Sequence, residues 1–171
     1  TRIASRTPDT TTPTSITTTI ATTGTASITI TKEPVAKIIN ANFPSGASGL
    51  VEMDGYIFTA DTTNSRIYNS DLNSITSWTA SNYISVNISS DTLQLCAKHK
   101  SRILGGGSNT IEMFFNAGNP SGSILSSDKD ALINMGCLTS VTNINEYFFF
   151  IGSATLNPGI WMLSSNGVKK I

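Results

Sequence analysis

The chain has 171 residues, with 11 Lys+Arg against 11 Asp+Glu, one histidine and two cysteines; only 13% of it is charged. That length suits one domain, or a piece of a larger one, with enough chain for a real core. One histidine excludes a His-rich zinc or iron centre, and balanced charge argues against a protein whose main work is neutralising nucleic-acid phosphates.

In place of charge, 24 Thr, 23 Ser and 15 Asn keep the surface in water. Thr favours strands, while Ser and Asn favour turns because their side chains compete for backbone hydrogen bonds. The expectation is an all-β chain of many short strands. The longest aromatic-aliphatic run, Tyr147 to Ile151, is too short to span a bilayer. An opening of Thr1-Arg2 without Met reads as a processed or excised segment with no secretory signal.

In chain order, residues 1–15 carry Pro8 and Pro13 and no apolar period, which predicts an extended Thr/Pro-rich arm or linker. Residues 16–42 read as a Thr-rich β hairpin and a possible partial blade. Ser27-Ile28-Thr29-Ile30-Thr31 alternates strictly and predicts a strand, which weighs against an O-glycosylated stalk. Phe43 to Gly49 is rich in Pro, Gly and Ser and predicts a loop.

Residues 43–171 form a β region in which one unit recurs: a strand, a polar hairpin loop and a second strand. The first case is Tyr56–Ala60, Asp61–Ser65 and Arg66–Asn69. The second is Ser101–Leu104, Gly105–Asn109 and Thr110–Phe115. The third is Tyr147–Ile151, Gly152–Gly159 and Ile160–Leu163. The first strands centre on Ile57, Ile103 and Phe149, 46 and 46 residues apart. Weaker outer strands are expected at Ile84–Ser89 and Ala131–Leu138 and in the segments leaving each hairpin. A period of about 45 residues with two strong and two weak strands is the mark of a propeller blade. Three or four visible blades are at the lower limit of a closed ring, so the expected fold is β-propeller-like and part of a larger propeller.

Candidate chemistry is thin. Asp128 and Asp130 are a close pair of carboxylates and read as a solvated turn or helix cap rather than a general acid/base dyad. Lys98-His99-Lys100-Ser101-Arg102 is a basic cluster with two readings: phosphate contacts if it lines a channel, or a solvated connection into the strand Arg102–Leu104, which is the one expected. His99 has no Gly-x-Ser-x-Gly elbow to join in a triad. Gly105-Gly106-Gly107 lacks the Lys-Ser/Thr ending of a phosphate loop and reads as a hairpin turn. Trp78 and Trp161 are expected in strands, packing between blades rather than serving as a sugar platform. Asn87-Ile88-Ser89 matches a glycosylation sequon that carries little information here. Cys96 and Cys137 lie in apolar stretches, which predicts two buried free thiols over a disulfide. No catalytic, cofactor-binding or metal residue is expected.

The segments Phe43-Pro44, Met53–Phe58, Ser65–Ser70 with Thr76-Ser77-Trp78, Asn109–Pro120, Ile133–Cys137, Tyr147–Gly152 and Ile160–Gly167 form an ordered series. In that order, over residues 42–171, the chain resembles the packaged-DNA stabilisation, or tail hub (nozzle), proteins of short-tailed bacteriophages. The resemblance implies a non-enzymatic virion component without cofactors, with a propeller-like core. It also implies a homo-oligomeric ring, usually a hexamer, below the portal and its adaptor in the phage tail. There it would help retain and channel packaged DNA, touching it only weakly, and hold the tail needle and receptor-binding fibre or spike proteins, with no membrane partner. Family members run to several hundred residues, and residues 1–31 fall outside the resemblance. The alternative is a ligand- or carbohydrate-binding propeller using Trp78 or Trp161; a propeller hydrolase lacks the raw material.

Overall fold

The computed structural model describes residues 15–20, 26–31, 40–87, 91–152 and 158–171, the first two stretches as backbone only. The chain divides into two compact units, Thr1–Lys37 and Ile38–Ile171. In the first, β1 (Ser15–Ile20) pairs antiparallel with β2 (Ala26–Thr31), from Ser15↔Thr31 to Ile20↔Ala26. Both strands are built of β-branched Ile and Thr, which suit a pleated surface. The expected arm, apart from Ser15, lies outside the described residues.

The second unit contains three four-stranded sheets and, among the described residues, no helix. Sheet one is β3 (Ala47–Met53), β4 (Tyr56–Asp61), β5 (Arg66–Asn69) and β6 (Tyr83–Ser85). Sheet two is β7 (Leu93–His99), β8 (Arg102–Gly107), β9 (Ile111–Asn116) and β10 (Leu125–Ile133). Sheet three is β11 (Cys137–Ile144), β12 (Tyr147–Gly152), β13 (Gly159–Ser164) and β14 (Gly167–Lys170). Each is a sequential antiparallel meander, so every strand pairs with its neighbour in sequence. The second strands start at Tyr56, Arg102 and Tyr147, 46 and 45 residues apart, which makes the sequence period a true structural repeat.

The strong strands of the sequence are the second and third of each sheet. The first strands are the ones its pattern hides. β3 begins at Ala47, inside the expected loop, and β7 carries no polar alternation because both its faces are buried. The outer strands also differ. β6 ends at Ser85, with Ile88 and Ser89 outside the described residues. The expected strand Ala131–Leu138 is instead the end of β10, a break, and the start of β11. The break is Asn134-Met135-Gly136, with Asn134 exposed, and the apolar residues on either side of it belong to two different strands, which hydropathy alone reads as one.

Side-chain alternation divides the middle sheet between two cores. Leu93, Cys96, Ile103, Phe114 and Leu125 pack with Phe58, Ala60 and Ile67 of sheet one. Leu95, Ala97, Leu104 and Ile111 pack with Cys137, Phe148, Phe150 and Leu163 of sheet three. A one-residue slip in sheet two would exchange its two faces and spoil both cores at once. Each fully buried large side chain in this stack contributes about 1.5–3 kcal/mol.

Close approach of the backbones makes the stack possible. Gly105 and Gly106 lie inside β8, not in a turn as the sequence suggested; the turn is Ser108–Thr110. A Cβ on Gly105 would stand 3.2 Å from Ile67 Cδ1 in sheet one, and one on Gly106 would stand 3.1 Å from Cys137 Cβ in sheet three. A third contact is at Gly49, in the β3 bulge with φ 71, where any Cβ would run into the Cys96 carbonyl of β7.

Valine has the better strand propensity, so Gly106→Val isolates the inter-sheet contact. It is expected to lower stability by about 1–3 kcal/mol, as overpacking does. The midpoint of urea unfolding of the purified chain measures it.

Candidate functional site

Two short polar links join the edges of sheets two and three. His99 Nδ1 lies 3.3 Å from Asn143 Oδ1, and Asn143 Nδ2 donates to the Lys98 carbonyl at 2.6 Å. The His99 ring, nearly buried at the end of β7, also rests against Phe148 at 5.9 Å between centroids. On the opposite side, Lys98 Nζ lies 3.9 Å from Glu52 Oε2 of sheet one. Lys100 stands exposed in the β7–β8 turn with φ 53. Arg102 Nη2 meets Asp128 Oδ2 at 3.1 Å, with its guanidinium 5.4 Å above the Phe115 ring.

The basic cluster of the sequence is therefore dispersed. Alternate strand residues point to opposite faces, so neighbours in sequence find partners in different sheets. Lys98 and Arg102 each have a carboxylate partner, while Lys100 faces solvent. His99 is a packed, hydrogen-bonded side chain at a sheet junction.

Asp128 and Asp130 also separate. Both lie in β10, neither a turn nor a helix cap, and Asp130 is exposed while Asp128 pairs with Arg102. β10 is an edge strand with a register shift between Asp128 and Ile133. Charges and a bulge on an edge are the usual protection against pairing with another chain. Among the described residues, no group of three or more His, Cys, Asp or Glu could hold a metal ion.

Trp78 is 2% exposed and lies in the β5–β6 loop, not in a strand. Its ring meets Phe43 edge-on at 4.9 Å, its Nε1 donates to the Ile75 carbonyl at 3.1 Å, and the Trp78 carbonyl accepts from Asn42 Nδ2 at 2.7 Å. Phe43 and Trp78 thus fasten the approach to β3 onto the β5–β6 loop. Trp161 is in β13, half-buried against the second core, and its indole lies over Gly152, where a Cβ would stand 2.6 Å from the ring. Trp78 presents no open face for stacking a sugar, and the Trp161 ring is taken up on one side by Gly152.

Cys96 and Cys137 are buried free thiols. They sit in the two different cores, on opposite faces of sheet two. Burial pushes the Cys96 thiol far up and the Cys137 thiol up to about 12, so neither is a nucleophile at neutral pH. Of the sequon, Asn87 is exposed, and Ile88 and Ser89 lie outside the described residues.

Sequence reasoning missed two aspartates that organise loops. Asp91 accepts from Ser108 Oγ at 2.6 Å, Asn109 N at 2.6 Å, and Thr110 N at 2.8 Å and Oγ1 at 3.2 Å. It thereby ties the entry to β7 onto the β8–β9 turn. Desolvation raises its pKa, but the hydrogen bonds from Ser108, Asn109 and Thr110 together outweigh this and hold the carboxyl below its ordinary value. Asp71 plays the same part in the β5–β6 loop, accepting from Ser77 Oγ at 2.5 Å, Thr79 Oγ1 at 2.9 Å and Asn82 Nδ2 at 3.1 Å. The partners of Asp91 lie 17 to 19 residues away, so no local motif announces them.

Sequential four-stranded meanders packed face to face, with their polar groups used for structure, define a structural all-β protein of the propeller kind. A family model described as "Bacteriophage P22 Gp10, beta-propeller" matches residues 11–171, and the chain belongs to that family. It is the family of DNA-stabilisation, or tail hub, proteins of short-tailed phages, and the chain is accordingly a phage structural protein of the virion tail. The match reaches upstream into the Thr-rich zone that the residue-level resemblance left outside. No curated protein matches the sequence.

Two outcomes follow from these contacts. The Asp91 pKa is depressed on folding, so its contribution is fully present above its ordinary 3.8 and is lost as pH falls below it. Asp91→Asn is expected to cost about 1–3 kcal/mol at neutral pH and to flatten the acid limb of the stability curve, as denaturant titrations at several pH values will register. For the indoles, tryptophan emission should be blue-shifted, and neither quenched nor shifted by added oligosaccharides.

Proposed function

We propose that this chain forms part of a tail hub or nozzle ring, a homo-oligomer and most simply a hexamer, attached below the portal and adaptor. In this reading it helps retain and channel packaged DNA and seats the tail needle and receptor-binding fibre or spike proteins. The family match over residues 11–171 carries the reading. The role is non-enzymatic: it assigns no catalytic, cofactor or metal residue, and function comes from shape and assembly.

The surface chemistry supports it. DNA passing through a channel must not be held, and each phosphate contact adds to retention. A chain with 11 basic and 11 acidic residues, whose basic cluster is spread among partners in different sheets, offers little grip. Among the described residues no helix is long and apolar enough to cross a membrane.

The third sheet supports a propeller of more than three blades. Ile111, opposite Gly106 in sheet two, is 1% exposed beneath sheet three. Ile160 holds the matching place opposite Ile151 in sheet three and is 56% exposed. In a longer propeller the outer face of sheet three carries the next blade.

Imaging of the particles that contain this protein tests the assembly. A ring of its density directly beneath the portal is expected; density in the capsid shell or at fibre tips would overturn the reading.

A further inference from the structure

Asn166-Gly167 is the only Asn-Gly dipeptide in the sequence. It lies in the exposed turn between β13 and β14, where Ser164↔Gly167 is the closing pair of the ladder. The Asn166 backbone N–H donates to Ser164 Oγ at 3.2 Å, but its side-chain amide makes no hydrogen bond among the described residues. Gly167 has φ 99, and a Cβ built on it would meet nothing within 4 Å. No side chain therefore blocks the approach between the Asn166 amide and the nitrogen that follows it. A closing pair next to a turn opens at little cost, because ladder ends fray.

We propose that Asn166 is a site of spontaneous deamidation in the folded protein. Base removes the proton from the Gly167 backbone nitrogen, which attacks the Asn166 side-chain carbonyl carbon. As the new C–N bond forms, the side-chain nitrogen takes up the proton that the base removed, its bond to carbon breaks and ammonia leaves, closing a five-membered succinimide. Water then opens the ring at either carbonyl, leaving aspartate or isoaspartate at position 166. The net change consumes one water and releases one ammonia, with no oxidant or reductant.

The other acidic or amide residue that precedes a glycine is held differently. In Asp54-Gly55, the Asp54 carboxylate accepts from Asn116 Nδ2 at 2.8 Å and the Gly55 N–H donates to Glu52 Oε1 at 3.0 Å, so both reacting groups are occupied. Among asparagines before serine, Asn64 is tied to Asp61 at 2.8 Å, and Asn69 is buried with its amide donating to the Ser70 carbonyl. The Asn73 side chain makes no hydrogen bond either, but Ser74 follows it, so among the described residues Asn166 alone combines a glycine successor with an unengaged side chain. The product also matters locally. A carboxylate at 166 joins Glu146 and Lys169 on the rim of a hollow of about 320 Å³. Isoaspartate adds a methylene to the main chain at the turn that sets the register of β14, the edge strand of sheet three. Asparagine is among the least durable residues chemically, and its loss acts as a covalent modification that changes charge. The inference does not depend on the proposed place in the tail.

The test incubates the folded chain at mildly alkaline pH and maps its peptides by mass spectrometry. The expected result is conversion at position 166 ahead of every other asparagine, with aspartate and isoaspartate both present, ammonia released, and a rate that rises with hydroxide. Asn166→Gln, whose longer side chain closes a less favourable six-membered ring, should lose that conversion while keeping the native unfolding midpoint. A folded chain left unchanged at 166 over an interval in which the urea-unfolded chain is converted would overturn the proposal. So would prior modification at Asn64, Asn69 or Asn73.

Discussion

The structure turns on how closely the backbone of β8 lets two sheets approach it. Sheets stacked face to face normally stand about 10 Å apart, with side chains filling the space between them. At Gly105 and Gly106 there is no side chain, and Ile67 and Cys137 come in from either side to take up the room. Phe58 and Phe114 on one side and Phe148 and Phe150 on the other then close the remaining volume. Because sheet two serves both interfaces, its register, its glycines and its alternation are constrained together. Sheets one and three are fixed by reference to it.

Polar residues follow from the same geometry. A stack of sheets leaves its polar groups at sheet ends, in turns and at edges, where Thr, Ser and Asn can reach a backbone group or a carboxylate without a full charge. Asn69 Oδ1 accepts from Ser123 Oγ at 2.9 Å within the first interface, and Asn116 Nδ2 reaches Asp54 across it at 2.8 Å. Short amide and hydroxyl bonds of this sort do what ion pairs do elsewhere. They do so without adding net charge to the chain.

Much of the architecture was legible in the primary structure, for a definite reason. Tyr56–Ala60 and Tyr147–Ile151 are unbroken or nearly unbroken runs of aromatic and β-branched residues, so they announce themselves and their spacing betrays the repeat. β7 and β11 do not. Leu93 to His99 shows no period because it faces two cores, and Cys137 to Ile144 is mostly polar although it begins deep in the second core. The triple glycine misled for a related reason, since local composition cannot distinguish a residue that is small to make a turn from one that is small to admit a neighbour.

By itself the amino-acid sequence determined the all-β class and the period of about 45 residues, because both depend on local pattern and composition. Only the tertiary structure decided which face of each strand meets which neighbour. It sent Cys96 and Cys137 into separate cores, divided Lys98, His99 and Arg102 among different partners, and made Asp91 the anchor of a turn 17 residues away. Those outcomes depend on pairs brought together across sheets, and a linear pattern holds no record of distance between strands that pack only after the chain has folded.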